Sequence, residues 1–288
     1  MRRGSLIMEM ETNGILPGRT KGKATLRLRS LAPYSAEFTS GQIGVIADIA
    51  EQYGSGQAHV TARQTIEIAD VENSTIPEVA ALLNNIGLFV GSSGSFLRNV
   101  MACSRWCLYN VRPVSDLAQK LNKLHADRQL PGKTLISLSG CSFSCTRSRT
   151  SDIGVIARSN IALTDHPCIH CTLCVREPLG CQVEAITLTE TGPEIDAQRC
   201  IHCGFCTTIC KPATIGLNGT SFDILIGGSG GITPRAGVFW KNVPTEEAVV
   251  EEVDSLLTRY AAVAEHGERI GAVLARSGAG CLEEVGHG

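Results

Sequence analysis

Aromatic side chains are scarce: seven Phe, four Tyr and two Trp make up 5% of the 288 residues. They show no combined stacking-and-basic pattern of the kind that binds single-stranded nucleic acid. An excess of charge is missing too. Twenty-six Lys and Arg stand against 28 Asp and Glu, a formal net charge of −2, which argues against a polyanionic partner such as DNA. No apolar run approaches the roughly 18 residues of a membrane span. The opening MRRGSLIMEMETNGILPGRT begins with two arginines but lacks the apolar stretch of a signal peptide. The expectation is a soluble, cytoplasmic protein with no nucleic-acid partner. The glycine-rich IGGSGG (226–231) lacks the Gly-Lys-Ser/Thr ending of a phosphate loop, so nucleotide binding is not expected.

Cysteine is what the chain has in excess, with 13 residues. An odd count and tight CxxC spacing in an unexported protein point to metal ligation rather than disulfides. Cys281 stands alone and reads as a small inert thiol. Cys168-x2-Cys171-x2-Cys174-x6-Cys181 is followed by Cys200-x2-Cys203-x2-Cys206-x3-Cys210. Each run offers three thiolates around one tight loop, and the fourth corner of each cubane comes from the last cysteine of the other run. One [4Fe–4S] cluster then takes Cys168, Cys171, Cys174 and Cys210. The other takes Cys200, Cys203, Cys206 and Cys181. Gln182 and Lys211 stand where this motif usually carries proline. His170 and His202, lying between ligands, read as solvent-facing spacers or sulfur hydrogen-bond donors rather than ligands.

Periodicity places the motifs. ATLRLRS (24–30) alternates as a strand, with Leu26 and Leu28 on one face and Arg27 and Arg29 on the other. Ser40 is expected to cap a helix to about Gln52, with Ile43, Ile46, Ala47 and Ala50 inward. QAHVTARQTIEIAD reads as one or two strands. A second helix has Pro77 in its first turn and Gly87 as its stop. This β-α-β-β-α rhythm predicts an α+β half-module of ferredoxin-like topology. Further on come a helix from Ser115 to about Ala126 with Leu117, Leu121 and Leu124 inward, strands in TLISLSGC, SDIGVIA and FDILIGG, and a closing amphipathic helix from Thr245 to about Ala264. The expected organisation is 1–95 as the half-module, 96–165 and 219–288 as the two parts of a second module, and 166–218 as an inserted ferredoxin domain.

Cys103-x3-Cys107 and Cys141-x3-Cys145 are separate pairs from two loops. Taken bare, they suit zinc or a third cluster. Their setting is RQTIEI, RNVMAC, LPGKTLISLSGC-x3-C and DIGVIA, then the insert, IGGSGGITPR and a last helix. In this it resembles the nitrite/sulfite reductase family, in the form of the anaerobic and dissimilatory sulfite reductases. That resemblance runs from about residue 20 to the end.

The resemblance implies an enzyme with sirohaem coupled to a third [4Fe–4S] cluster held by Cys103, Cys107, Cys141 and Cys145, with the Cys145 thiolate shared with the haem iron. It implies six-electron reduction of sulfite, ahead of nitrite, fed through the insert. Sirohaem carboxylates and a dianionic substrate call for fixed cations. Arg29, Arg63, Arg98 and Lys133 match the anion-binding positions. Arg147 and Arg149 are within reach of haem carboxylates, and Arg235 is the cation beside IGGSGG. The family spaces its first cysteine pair by five residues where this chain has three. It usually places proline and asparagine where this chain has Ser142 and Phe143. Trp106 and Phe143 are expected to occupy space on the substrate face. An electron-donor protein and a second module, as a homodimer or hetero-oligomer, are the implied partners. The alternatives are a non-catalytic electron-transfer subunit with a repurposed haem site, and a zinc-stabilised scaffold.

Overall fold

The computed structural model describes residues 14–31, 35, 37–91, 93–110, 112–126 and 128–283. The opening segment read for a leader lies outside them through residue 13. Among the described residues, no helix is long and apolar enough to cross a membrane.

The first sheet collects β1 (Ile15–Pro17), β2 (Lys23–Ser30), β3 (Ala58–Val60), β4 (Ile66–Glu72) and β5 (Leu88–Val90), in the order β1-β2-β4-β3 with β5 also on β2. Helices α1 (Ser40–Tyr53) and α2 (Ile76–Asn84) cover the face that carries Leu26, Leu28, Ile66 and Ile68. Strand alternation turns Arg27 and Arg29 to the opposite face, where they are nevertheless buried. Arg29 Nη1 reaches across to donate to the Ala126 carbonyl at 2.9 Å, so the arginine face of the half-module is the one that meets the rest of the chain.

The second unit begins with β6 (Met101–Ala102), α3 (Ser115–His125), β7 (Ile136–Ser139) and β8 (Ile153–Leu163). The cysteine-rich excursion follows, with a small hairpin, β9 (Ile186–Thr189) and β10 (Gly192–Ile195), and one short helix, α4 (Phe205–Ile209). The chain returns through β11 (Ile215–Ile226) and β12 (Val238–Val243) and ends on α5 (Glu246–Val263) and α6 (Ile270–Ser277). The sheet order is β12-β11-β8-β7-β6, and the core between sheet and helices holds Leu117, Leu121, Ile136, Leu138, Val253, Leu257 and Tyr260 among others. The architecture is α+β, as expected.

Pairing direction explains where the cysteines go. β6 and β7 run parallel, Met101 opposite Ser137 and Ala102 opposite Leu138, and β7 runs parallel to β8. Cys103 and Cys141 therefore leave the sheet at the same end. β8 continues for seven residues beyond Ile156, the partner of Ser139, an arm of roughly 23 Å. β11 returns antiparallel along it, Ile215 facing Leu163, so the excursion springs from and closes onto one ribbon. It folds back on that ribbon through Ser159 N–H to the His202 carbonyl at 2.9 Å.

Three local expectations are corrected. The cap of α1 is Thr39 rather than Ser40, because Thr39 and Gln42 form a reciprocal capping box (Gln42 N–H to Thr39 Oγ1, 3.2 Å; Thr39 N–H to Gln42 Oε1, 2.9 Å). That start puts Gln42, Ile46, Ile49 and Ala50 inward and leaves Ile43 54% exposed. In α3 the inner stripe is Leu117, Ala118, Leu121, Asn122 and His125, with Leu124 62% exposed. Asn122 outranks Leu124 because its amide is satisfied inside: it donates to Ser30 O and Asn99 Oδ1 and accepts from Val100 N–H. Finally, α5 does not close the fold; α6 follows it and buries Ile270 and Val273.

Candidate metal centre and cation face

The insert repeats CIHC, at 168–171 and at 200–203. In both copies the histidine is left-handed, φ 50° at His170 and 53° at His202, and the residue after the next cysteine is too, Thr172 at 63° and Gly204 at 77°. Histidine is among the few side chains enriched in that region, so its place in the repeat follows from the curl of the loop. The curl turns amides toward sulfur: His170 N–H to Cys168 Sγ at 3.4 Å, Ala185 N–H to Cys181 Sγ and Ile215 N–H to Cys210 Sγ, both at 3.3 Å. Such bonds orient thiolates and tune a cluster's potential. The donors are backbone groups rather than the imidazoles. His170 is exposed, but His202 is half-buried near Arg158 and Asp223 with Nδ1 unpartnered, which corrects its reading as a solvent-facing spacer.

The thiols group by their mutual electrostatics. Burial pushes the Cys174 thiol up, and the charges of Cys168, Cys171 and Cys210 push it further. Cys206 is pushed up to about 12 by burial and then by Cys203, Cys200 and Cys181. These are the first insert set (168, 171, 174, 210) and the second insert set (181, 200, 203, 206). The members of the second set line an apolar pocket with about 460 Å³ of space free of atoms, part of it open to solvent. Among the described residues no three His, Cys, Asp or Glu side chains close around one point as the ligands of a single ion do. Four thiols near enough to raise one another's pKa have the chemistry to serve together as sulfur ligands once deprotonated.

A third group forms at the ends of β6 and β7. Burial raises the Cys103 thiol, with Cys107 and Cys145 adding to it. Cys141 is pushed up to about 11 by burial and by Cys103, Cys203 and Cys107. Gly140 N–H donates to Cys103 Sγ at 3.1 Å, and Asn110 packs against Gly140 where a Cβ would not fit. Cys107 and Cys145 are exposed, Cys141 is buried and Cys103 is intermediate. These four are the loop set. Trp106 is 83% exposed beside them. Phe143 is 44% exposed; its ring meets Tyr109 edge-on at 5.5 Å and lines the pocket of the second insert set.

Arg63, Arg98 and Lys133 gather with one another. The Lys133 ammonium is held below its ordinary value, first by lost hydration and then by the charges of Arg63, Arg98 and Arg269, against the pull of Asp152. Burial lowers Arg63 as well, followed by the charge of Arg27, with Glu67 opposing. Arg27 is itself paired to Glu67 through Nε and Nη2 at 2.8 and 2.6 Å. Arg98 N–H donates to the Thr134 carbonyl at 3.2 Å, which seats its loop on that of Lys133. Arg29 is placed differently, 2% exposed with its guanidinium against Gly91 and the Ala126 carbonyl. Arg98 and Lys133 precede β6 and β7 while Cys103 and Cys141 follow them, so these two short strands lie between the cations and the cysteines in the chain. The structure brings Arg63, Arg98 and Lys133 together, and Gln64 ties the Arg63 loop to the strand that leads into Cys103.

Arg147, left-handed at φ 64°, and Arg149 are exposed after Cys145. The 226–231 turn lies beside them: Gly237 N–H donates to the Arg149 carbonyl at 2.7 Å, and Gly228 sits against Ser151 with no room for a side chain. Arg235 closes that turn by exchanging backbone hydrogen bonds with Ser229 and lays its guanidinium on Gly271 of α6.

Several positioning residues carry no signal in the sequence. Gln64, beside Arg63, clasps the strand just before Cys103, donating to Ala102 O at 2.7 Å and accepting from Ala102 N–H at 2.9 Å. Asn99 donates to the Arg63 carbonyl at 3.1 Å. Buried Asp152 is bridged by Arg269 at 2.9 and 2.6 Å and accepts from Leu135 N–H. A single Gln or Asn makes no pattern; the repeated CIHC is the one signal that could have revealed the loop curl.

Comparison with known proteins gives a consistent result. Residues 93–285 match the nitrite and sulphite reductase 4Fe-4S domain, and residues 17–86 the nitrite/sulfite reductase ferredoxin-like half domain. The chain is 31% identical over 240 residues to an uncharacterized protein of Methanocaldococcus jannaschii, covering 82% of each. It is 26% identical over 267 residues to the C subunit of the anaerobic sulfite reductase of Salmonella typhimurium, covering 84% of this chain and 78% of that one. The crystal structure of dissimilatory sulfite reductase I shares the fold, with a TM-score of 0.70 at 19% identity over 90% of this chain and 68% of the other.

Proposed function

Because the chain belongs to the nitrite and sulphite reductase family, we propose that it is the catalytic subunit of a sirohaem-dependent reductase that takes sulfite to sulfide. In this reading the loop set and both insert sets each hold a [4Fe–4S] cluster, three in all. Cys145 would be the thiolate offered to the haem as well as to the cluster, and the donor is a separate electron-transfer protein or subunit. When bound, the clusters and sirohaem supply the electrons and the metal site for an oxyanion that the side chains alone cannot reduce.

What this chain contributes is position and charge. β6 and β7 fix the two cysteine loops at one end of the sheet, and Gly140 holds Cys103 by its sulfur. The exposed Cys107 and Cys145 leave the loop set open to a large cofactor. Arg63, Arg98 and Lys133 form the anion-binding face, and the depressed ammonium of Lys133 suits it to pass a proton as well as to hold charge. Arg147, Arg149 and Arg235 would pair with haem carboxylates. In this reading a second copy of the chain or a related protein completes the site.

What supports the reading is that the thiols influence one another in fours, twelve cysteines in all, within a family of nitrite and sulphite reductases. The visible spectrum of anaerobically purified protein tests it. Sirohaem gives a Soret band and a red-shifted chlorin-type band over the broad brown absorption of the clusters. Full cluster loading with no chlorin-type band would make the chain an electron-transfer subunit instead.

A further inference from the structure

The turn CSFSC departs from the family at Ser142 and Phe143, and both departures face the insert. Ser142 Oγ donates to the Ile201 carbonyl at 2.7 Å, inside the second CIHC. The Phe143 ring meets Tyr109 at 5.5 Å, and Tyr109 lies 4.7 Å from Phe205, the residue before Cys206. A proline at 142 has no hydroxyl to donate, and an asparagine at 143 has no ring. Tyr109 and Phe143 also wall the pocket lined by the second insert set.

The two repeats differ in the same sense. Ile201 is half-buried under the Cys141 turn, whereas Ile169, at the same place in the first repeat, is 60% exposed. Leu179, beyond Cys174, is 44% exposed. One end of the insert is joined to the loop set and the other is turned outward.

We propose that Ser142, Phe143 and Tyr109 form a seam that makes the second insert set the immediate electron donor to the loop set and leaves the first insert set as the outer, donor-facing one. This rests on the reading above that all three sets hold [4Fe–4S] clusters. A low-potential one-electron donor protein reduces the outer cluster. That cluster is reoxidised as it reduces the inner one, and the inner cluster is reoxidised as it reduces the cluster of the loop set, with no bond made or broken.

The test is electron paramagnetic resonance of the dithionite-reduced holoprotein, with iron and sulfide analysis of each sample. Neighbouring reduced clusters broaden or split one another's signals. Cys171→Ala, which removes the outer cluster, is expected to leave the broadening of the loop-set signal in place, and Cys203→Ala to abolish it. Ser142→Ala with Phe143→Leu is expected to lose the broadening at unchanged iron content. Should a cysteine variant fail to fold, the seam variant decides alone. Broadening that survives Cys203→Ala and vanishes with Cys171→Ala, or that is untouched in the seam variant, overturns the seam and leaves the three-cluster reading standing. Iron for only two clusters in the unaltered protein, with no loop-set signal, overturns that reading and the seam together.

Discussion

Cys145 and Lys133 are the side chains on which the proposed chemistry turns, and each answers to a different measurement. Cys145 is exposed at the end of the loop set, and serine in its place offers no thiolate at neutral pH. Cys145→Ser is expected to lose the chlorin-type band while the iron of the insert stays; a retained band contradicts the proposed role of that thiolate in holding the haem. Lys133 answers to pH. Its ammonium titrates below the ordinary 10.5 because of lost hydration and the neighbouring arginines. The lysine is charged below its own pKa and neutral above it, and a bound anion favours the charged form. Sulfite affinity should therefore be full in the neutral range and fall as pH rises through that depressed value. Lys133→Met should weaken binding throughout and remove the alkaline fall, as followed by the shift of the haem band on titration with sulfite. An unchanged alkaline limb in that variant would take Lys133 out of the anion face.

Elements are held by polar contacts that sequence patterns do not encode. Glu252 on α5, 7% exposed, accepts from Trp240 Nε1 at 2.9 Å, Lys241 Nζ at 2.8 Å and Arg259 Nη2 at 3.1 Å, and so ties the helix to the edge strand β12. Burial would raise its carboxyl, but the hydrogen bonds from Lys241 and Trp240 and the charges of Lys241 and Arg259 bring it below the ordinary 4.5. A carboxyl depressed by folding contributes stability that is complete above 4.5 and is lost as pH falls through its folded value. Glu252→Gln should cost about 1.5–3 kcal/mol at neutral pH and flatten the acid limb of stability measured by urea unfolding. The same contrast decides what is legible. The apolar periods of α5 and β2 and the cysteine spacing of the insert stand in the sequence because burial and ligation repeat at fixed intervals. The stripe of α3 departs from its apolar period because Asn122 finds its partners in Ser30, Asn99 and Val100, all distant in sequence, and the cap of α1 is displaced because the capping box begins one residue before Ser40. The side taken by Phe143 is hidden for a similar reason: the insert must fold back before Phe205 reaches Tyr109 and the ring beside it.

At the scale of the molecule the insert is an excursion from a continuous ribbon. β8 and β11 pair from Ile153 with Ile226 out to Leu163 with Ile215, and Thr164 N–H still donates to the Thr214 carbonyl at 2.9 Å. Ile186, Cys174 and Cys206 of the insert pack with Ile215 at the start of β11 in a small core separate from that of α3, α5 and α6. The ends of the excursion thus meet as the ends of a hairpin do, and a two-residue Asn-Gly turn supplies the geometry to join them. Shortening a closed loop lowers the entropic cost of forming it, by only about 0.6 kcal/mol per halving of its length, so the large core has little to lose. Replacing 165–213 by such a turn should leave one cooperative unfolding transition for the module and reduce the iron to that of a single cluster. Excision also removes the hydrogen bond from Ser142 to Ile201 and the ring contact of Tyr109 with Phe205, both of which border the loop set. The remaining cluster should therefore be retained but reduced more slowly by a protein donor. A chain that becomes insoluble or loses its cooperative transition on excision would mean that the insert is part of the fold's core, and that the ribbon does not close without it.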